Sequence, residues 1–302
     1  MVFRCLVILC FLSLWVIAAD TFTVATFNVE NYFLTPFATR KAKTVVSRSM
    51  VTEAIVSIKP DVLALQEMGR KVALEDLRNR LSQKNLIYPH VVWLPGPDSA
   101  IHLAVLSQFP IVGHYSKTNV TYLLDRKRFQ VSRGFVEIEI QVKPDYKFTL
   151  FNAHLKSMRQ VALADQAEMR LEEARALRRF VEKRLKANPV ENILLMGDLN
   201  VFPSKDPLRV LIGQRSPRLV DLRPFEKNED QERSPVNAND LSRRVTWTHF
   251  YRKEDRFSRL DYILASQGMM KELDSSFVHV MPDWGVASDH RPVVARFAAK
   301  ER

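Results

Sequence analysis

The chain has 302 residues, 46% of them hydrophobic, with 45 Lys and Arg against 34 Asp and Glu and a formal net charge of +11. That length and apolar content support a sizeable core and exclude a disordered chain, while the charge favours a polyanionic partner such as nucleic acid, acidic polysaccharide or anionic lipid. Its two cysteines, Cys5 and Cys10, both lie near the N-terminus, so the rest of the chain has no disulfide framework, thiolate nucleophile or Cys-ligated zinc.

The chain opens MVFRCLVILCFLSLWVIAAD, in which Arg4 precedes an apolar run from Cys5 to Ala19 broken only by Ser13. This is the layout of a secretory signal peptide cleaved after Ala18 or Ala19, and the run is short for a membrane span, which needs about 20 residues. The expectation is a leader over 1–19, one domain over 20–302, and a secreted or periplasmic protein. The alternative is a membrane anchor made by an uncleaved leader.

A strand begins at Thr21 and ends in polarity, TFNVEN over 26–31. Val46, Met50, Val51, Ala54, Ile55 and Ile58 repeat at helical spacing within 39–58, and Pro60 stops them. DVLALQE (61–67) reads as a buried strand ending in Glu67, and Leu74, Leu77 and Leu81 mark a second helix. Strands follow over 89–94, 101–107 and 134–142. The last alternates Val136, Ile138, Ile140 and Val142 with Glu137, Glu139 and Gln141, so its polar face is expected to meet water.

FTLFNAHLKS (148–157) is another strand with a polar end, a helix is expected over 162–187, and VENILLMGDLN (190–200) is another buried strand carrying a carboxylate. The two halves therefore echo each other: strand, Asn-x-Glu or Asn-x-His, helix, strand with terminal Glu or Asp. Two like units packed as a sandwich are expected. The polar stretch 225–244 reads as a surface loop. Strands near 245–251, 260–265, 276–281 and 292–298 complete the chain.

Five of these runs end in or carry Asn28, Glu67, His154, Asp198 with Asn200, and Asp261, while SDHRP sets Asp289 and His290 before the final strand. Each has a plain alternative: Asn28 or Asp198 in a turn, Glu67 or Asp289 as a helix cap, His154 as a structural histidine. Together, at strand ends where α/β sheets gather their sites, they point to one centre. Carboxylates and amides without cysteine suit a hard cation, Mg²⁺ or Mn²⁺. Imidazoles beside carboxylates suit proton transfer, and the combination is equipment for hydrolysing a phosphate ester.

The ordered set TFNVEN, LALQE, NAHLKS, MGDLN, RLDYIL and SDHRP resembles the endonuclease/exonuclease/phosphatase family, which is similar to deoxyribonuclease I, over about residues 21–298. The resemblance implies an α/β fold, a four-layer α/β/β/α sandwich of two mixed sheets flanked by helices, and metal-dependent phosphoester hydrolysis. Carried over by motif, Asn28 and Glu67 hold the metal with Asp289 beside it, and Asp198 and Asn200 orient the water and the scissile phosphate. Asp261 polarises His290, to which we assign the base role in preference to Asp198. His154 binds the phosphate or protonates the leaving oxygen. Arg133 resembles a phosphate-contacting arginine, with an exposed strand-start arginine as the alternative. Arg170 and Trp247 match family positions for which core or helix-surface roles are preferred.

NAHLKS stands where the exonuclease III branch uses a tyrosine, which points to the two-histidine branch of nucleases, sphingomyelinases, inositol-phosphate phosphatases and deadenylases. Export and positive charge favour a nuclease, as an endonuclease with a nucleic acid substrate. The enzyme alternatives are a sphingomyelinase or phospholipase C-like enzyme and an inositol-phosphate phosphatase; a non-catalytic phosphate-binding module is the third. No hairpin with exposed apolar residues for membrane contact is legible, so a monomer without a stable membrane partner is expected.

Overall fold

The apolar runs of the sequence become the central strands of two mixed sheets. A computed structural model describes residues 21–203, 205–226 and 246–300. The expected leader and all but the first two residues of the expected 225–244 loop lie outside the described residues, among which no helix is long and apolar enough to cross a membrane.

The first sheet has the order β12 (Phe225–Glu226), β16 (Leu273–Val278), β17 (Val293–Ala298), β1 (Thr21–Tyr32), β2 (Val62–Met68), β4 (His102–Ser107), β3 (His90–Leu94), numbered along the chain. The second has the order β11 (Leu219–Asp221), β15 (Asp261–Ser266), β10 (Ile193–Asp198), β9 (Tyr146–His154), β8 (Phe135–Lys143), β5 (Ile111–His114). Helices α1 (Val45–Ile58) and α2 (Lys71–Ser82) cover the first sheet, and α3 (Gln166–Ala187) covers the second. Short helices α4 (Asp206–Ile212), α5 (Gln267–Met270) and α6 (Trp284–Ala287) lie in the connections. Two hairpins not read from the sequence, β6 (Thr121–Leu124) with β7 (Lys127–Gln130) and β13 (His249–Tyr251) with β14 (Arg256–Ser258), stand outside the sheets.

Three apolar layers hold this together. Phe22, Val24, Val62 and Val105 of the first sheet meet Ile138, Phe148, Leu150 and Met196 of the second. Val51, Ile55, Leu74 and Leu77 pack on the outer face of the first sheet, and Leu177, Val181 and Leu185 on that of the second. The four-layer sandwich is thus as expected. Both long helices start later than periodicity suggests because their caps set the boundary: Thr44 accepts the Ser47 N–H, and Asp165 those of Ala167 and Glu168.

The polar face of β8 is largely covered rather than open to water. Helix α3 lies over it, leaving Glu137 only 7% exposed, and Arg184 binds Glu137 (2.9 Å), Glu139 (2.6 Å) and Glu191 (3.3 Å). Alternation reads as amphipathic whether the second face is wet or is paired with charges from another layer, so the pattern alone does not separate the two. Arg184→Met strands carboxylates that are largely buried. Because the guanidinium is itself 20% exposed, we expect a loss of about 1–3 kcal/mol rather than the full cost of a broken buried pair. Urea denaturation measures it, and an unchanged midpoint would assign the network no structural weight.

The halves do echo each other. β1–α1–β2 and β9–α3–β10 are both parallel strand–helix–strand units, with Asn28 opposite Gln66 and His154 opposite Asp198. Between the sheets, the Asn152 amide donates to the Leu65 and Ala104 carbonyls at 3.1 and 3.0 Å, and its Oδ1 accepts from Gln66 Nε2 at 2.8 Å. This polar bridge joins β9 to β2 and β4 beneath the strand ends.

Candidate active site

Strand endings bring the site together, and the backbone is bent to do so. The β1–β2 register breaks after Asn28, and Glu30, Asn31, Glu67 and Asn200 all take left-handed conformations, with φ of 44, 49, 60 and 49°. Each costs on the order of 1 kcal/mol for a residue with a Cβ. The return is aim: Glu67 accepts the Asn31 N–H at 3.0 Å and faces Asn28 Nδ2 at 3.4 Å, so it caps no helix. Gly197 is required by its neighbours, since a Cβ there would run into the Ala153 carbonyl and its φ is +139°. Only glycine lets β9 and β10 close up enough to set His154 beside Asp198.

Asp198, 1% exposed, is the centre. Its Oδ2 accepts from Asn28 Nδ2 at 2.9 Å and faces His154 Nε2 at 3.3 Å and His290 Nε2 at 3.8 Å. Its Oδ1 accepts the Asn200 N–H at 2.9 Å, so the turn foreseen at this position and the site coexist in one carboxylate. Behind His290, Asp261 Oδ2 lies 2.8 Å from Nδ1. Asp261 is fully buried, and its strand start is tied down by Thr248, whose hydroxyl accepts the Leu260 and Asp261 N–H groups. One flank of the centre therefore comes from the first sheet (Asn28, Glu67) and the other from the second (His154, Asp198, Asp261).

Electrostatics separate the two imidazoles. Burial pushes the His154 pKa well down, helped by Arg133 and His290. Burial also opposes charge on His290, but the carboxylates of Asp261, Asp198 and Asp289 outweigh it and lift its pKa well above the usual imidazole range. Burial pushes the Asp198 carboxyl up to about 6, with Asp261 adding to it and His290 opposing. At neutral pH the centre thus holds a neutral His154, a cationic His290 and an ionised Asp198.

The other expected residues sit close by. Asn200 Nδ2 and Arg133 Nη1 converge on the Leu155 carbonyl, at 3.2 and 3.0 Å. Arg133 is 6% exposed, so it is not an exposed strand-start residue. Asp289 lies at the rim, its N–H donating to Glu30 Oε2 at 3.2 Å and its carboxylate 3.9 Å from His290 Nε2. Arg170 is buried on α3 and holds the Lys156 carbonyl. Trp247 is half-buried and lies under Arg291, 4.1 Å from its guanidinium carbon.

Sequence reasoning missed His249, whose ring stands 4.5 Å from that of His290 and whose Nε2 is 3.7 Å from Asp289. It also missed Lys43, which donates to the Glu30 carbonyl at 3.0 Å. His249 follows TWT in an aromatic-rich run, a weak signal; nothing local marks Lys43.

A sequence profile of the Endonuclease/Exonuclease/phosphatase family matches residues 25–290. The chain belongs to that family. A search of curated protein sequences found no match. Among solved structures, the catalytic domain of human Nocturnin with a bound sulfate anion superposes with a TM-score of 0.64 at 16% identity, covering 93% of this chain and 95% of that one. Sphingomyelinase C from Streptomyces griseocarneus gives 0.59 at 17%, covering 92% and 100%, and truncated TDP2 from Caenorhabditis elegans gives 0.57 at 15%, covering 92% and 98%. These likenesses share the sandwich fold.

Members of the Endonuclease/Exonuclease/phosphatase family are generally metal-dependent phosphoesterases, and the donors here fit a hard cation. Glu67 and Asp198 offer carboxylate oxygens with no thiolate, and the Glu67 side chain is 19% exposed at the mouth while that of Asp198 is 2% exposed. Asn28, expected as a ligand, instead turns its Nδ2 to both carboxylates while its Oδ1 accepts the Glu30 N–H at 3.0 Å, so it braces them as placed. Asp198, Asp261 and His290, and likewise His249, Asp289 and His290, also bring ligand atoms within 4.8 Å of one another. Both sets depend on His290, whose imidazolium form has no lone pair to give, so the Glu67 side suits the cation better.

A pH dependence follows. The folded-state pKa of Asp198, about 6, lies above its ordinary value, so its ionisation weighs against folding fully above pH ~6 and not at all below the ordinary carboxylate range. A bound cation offsets the cost of burying that charge. The rise in Tm on adding Mg²⁺ or Mn²⁺ should therefore be larger at pH 7.5 than at pH 5. Scanning fluorimetry against an EDTA blank measures it, and a pH-independent rise would detach Asp198 from the cation.

Proposed function

We propose that this chain is an exported, Mg²⁺- or Mn²⁺-dependent phosphodiesterase that cleaves nucleic acid. The observation that carries the reading is the Asp198 carboxylate, faced by a neutral His154 and by a cationic His290 backed by Asp261. In this reading Glu67 would hold the cation, with Asn28 turning its amide oxygen to it and Asp289 beside it, and the cation would supply positive charge to a phosphate bound there.

Asp198 takes the proton from the attacking water, because a carboxylate with a pKa near 6 is ionised at neutral pH and still basic enough to accept. The base role given to His290 from the sequence alone moves to Asp198. An imidazole held in its protonated form by three carboxylates is a poor acceptor, and His290 instead sets its positive charge against the phosphate and gives its proton to the leaving oxygen as that P–O bond breaks. Asn200 orients the water, while His154 and Arg133 meet the phosphate on the second-sheet side.

The net charge supports a polyanionic substrate. The test is the chain from residue 20 with Mg²⁺ or Mn²⁺ against plasmid DNA, RNA, sphingomyelin and inositol phosphates in parallel. Nucleic acid should be cleaved fastest, and KM should climb steeply between 50 and about 200 mM salt as released counterions oppose binding. Cleavage confined to sphingomyelin, with no salt dependence, would favour the membrane reading instead. Two observations speak for that second reading: Phe257 on the β13–β14 hairpin is 52% exposed, and Leu123 on β6 is 60% exposed. Mass spectrometry of the secreted chain tests export; an intact Met1 would overturn it.

A further inference from the structure

A cavity of ≈ 690 Å³ has walls that include Phe202, Trp247, Phe257, Arg209, Arg223 and Arg256. The walls are short extensions of the residues that build the centre. Phe202 follows Asn200 by two positions, and Ser258 and Arg259, also in the wall, lead directly into Leu260 and Asp261. Trp247 precedes the Thr248 that ties down Asp261, and its carbonyl accepts from Arg291, the residue after His290.

The aromatic wall is organised and open. Trp247 meets Phe257 edge-on at 4.8 Å between ring centroids, and Phe257 stacks on Phe250 at 4.6 Å with 24° between planes. Phe257 is nevertheless 52% exposed, an expensive place for a phenyl ring that covers nothing. Around this wall stand guanidinium groups. Arg259 is spent on Asp221 in two bonds of 2.9 and 2.6 Å, which also neutralises the wall's carboxylate. Arg256 lies 5.8 Å from the Phe202 ring centroid and 5.5 Å from that of Tyr251, and Glu254, its acidic partner among the described residues, is 56% exposed. Arg209 pairs with Asp206, itself 73% exposed, at 3.3 Å. A pocket of aromatic faces with a cationic rim matches a flat ring attached to an anionic backbone. An alkyl chain would make no use of the rim, and an inositol ring no use of the walls.

We infer that this cavity seats a nucleobase adjoining the scissile phosphate, so that the substrate is a nucleotide-containing diester recognised partly by stacking on Trp247 and Phe257. The inference rests on the phosphodiesterase reading above and adds to it a subsite for the base. It also gives Trp247 a binding role in place of the core role preferred from sequence.

The test uses chromogenic diesters that share one leaving group: methyl p-nitrophenyl phosphate, and thymidine p-nitrophenyl phosphate as its 5′ and 3′ isomers. The wild type should prefer one thymidine ester over the methyl ester by about tenfold or more in kcat/KM, chiefly through KM, as expected for one stacked base. Both Phe257→Ala and Trp247→Leu should cut that preference to about threefold or less, and Phe257→Ala, whose ring touches no residue of the Asp198 centre, should do so while the methyl ester reaction holds. Binding of dT10 in EDTA, followed by calorimetry, should weaken about tenfold in the same variants. An unchanged preference, or a methyl ester rate that falls in step with the thymidine ester, would overturn the inference. So would intact dT10 binding together with weakened binding to sphingomyelin vesicles. If no diester is hydrolysed but the variants still lose dT10 affinity, the reaction assigned above fails and the base seat stands.

Discussion

Replacing His290 with alanine should lower the single-turnover rate at saturating substrate by about 10²–10⁴-fold, the range for a positioned group acting on protons or charge in the transition state. His290 is a cation held in the centre against burial, by Asp261 at 2.8 Å, and it faces Asp198 at 3.8 Å. His154, neutral and 3.3 Å from the same oxygen, should cost about 10²-fold when replaced by alanine. Because both act through one carboxylate, the double variant should be scarcely worse than the poorer single one. Asp261→Asn offers a pH readout. The pKa of His290 is raised by carboxylates, so its charge is present below that pKa and lost above it, and removing the largest of those carboxylates brings the loss to lower pH. The alkaline limb of the kcat profile should move down, and an unmoved limb would leave His290 without its proposed charge. Near-wild-type turnover in His154→Ala would return that residue to a structural role.

Glu67→Gln should leave the fold intact and abolish activity at low metal, with partial recovery as Mn²⁺ is raised to millimolar levels. The amide still accepts the Asn31 N–H, but it offers a cation a neutral oxygen in place of a charged one. The loss expected is about 10²-fold or more in kcat/KM, accompanied by a weaker rise in Tm on metal addition. Normal cleavage across a Mg²⁺ titration would show that the metal lies elsewhere. The His249, Asp289 and His290 set is then the next place to probe, by His249→Ala.

Much of this was legible because desolvation makes polar strand ends conspicuous. His154 and Asp198 close buried strands, Asp261 opens one, Glu67 stands one residue from the end of β2 and Asn28 at the register break within β1, and a polar group at such a place must be met by something. What periodicity could not convey was which layer does the meeting. Glu137 and Glu139 alternate as a wet face would, yet they serve Arg184 on α3, 45 or more residues along the chain. His249 was hidden for the same reason: its significance comes from the edge of the β13–β14 hairpin standing against His290, not from its neighbours in sequence. Charge signs also hid the division of labour. The motif order named two histidines, but only the surrounding carboxylates show which one keeps its proton.

The bridge from Asn152 to Leu65, Ala104 and Gln66 has a consequence for how the enzyme comes into being. Two greasy sheets can slide over one another with little change in buried area, and a slip of one residue, about 3.3 Å, would carry Asn28 and Glu67 past His154 and Asp198. Apolar contacts do not forbid that slip; an amide that must find two particular carbonyls does. Neither half of the molecule alone owns a centre, so during refolding the recovery of activity should report the moment the two sheets come into register and lag behind the return of secondary structure.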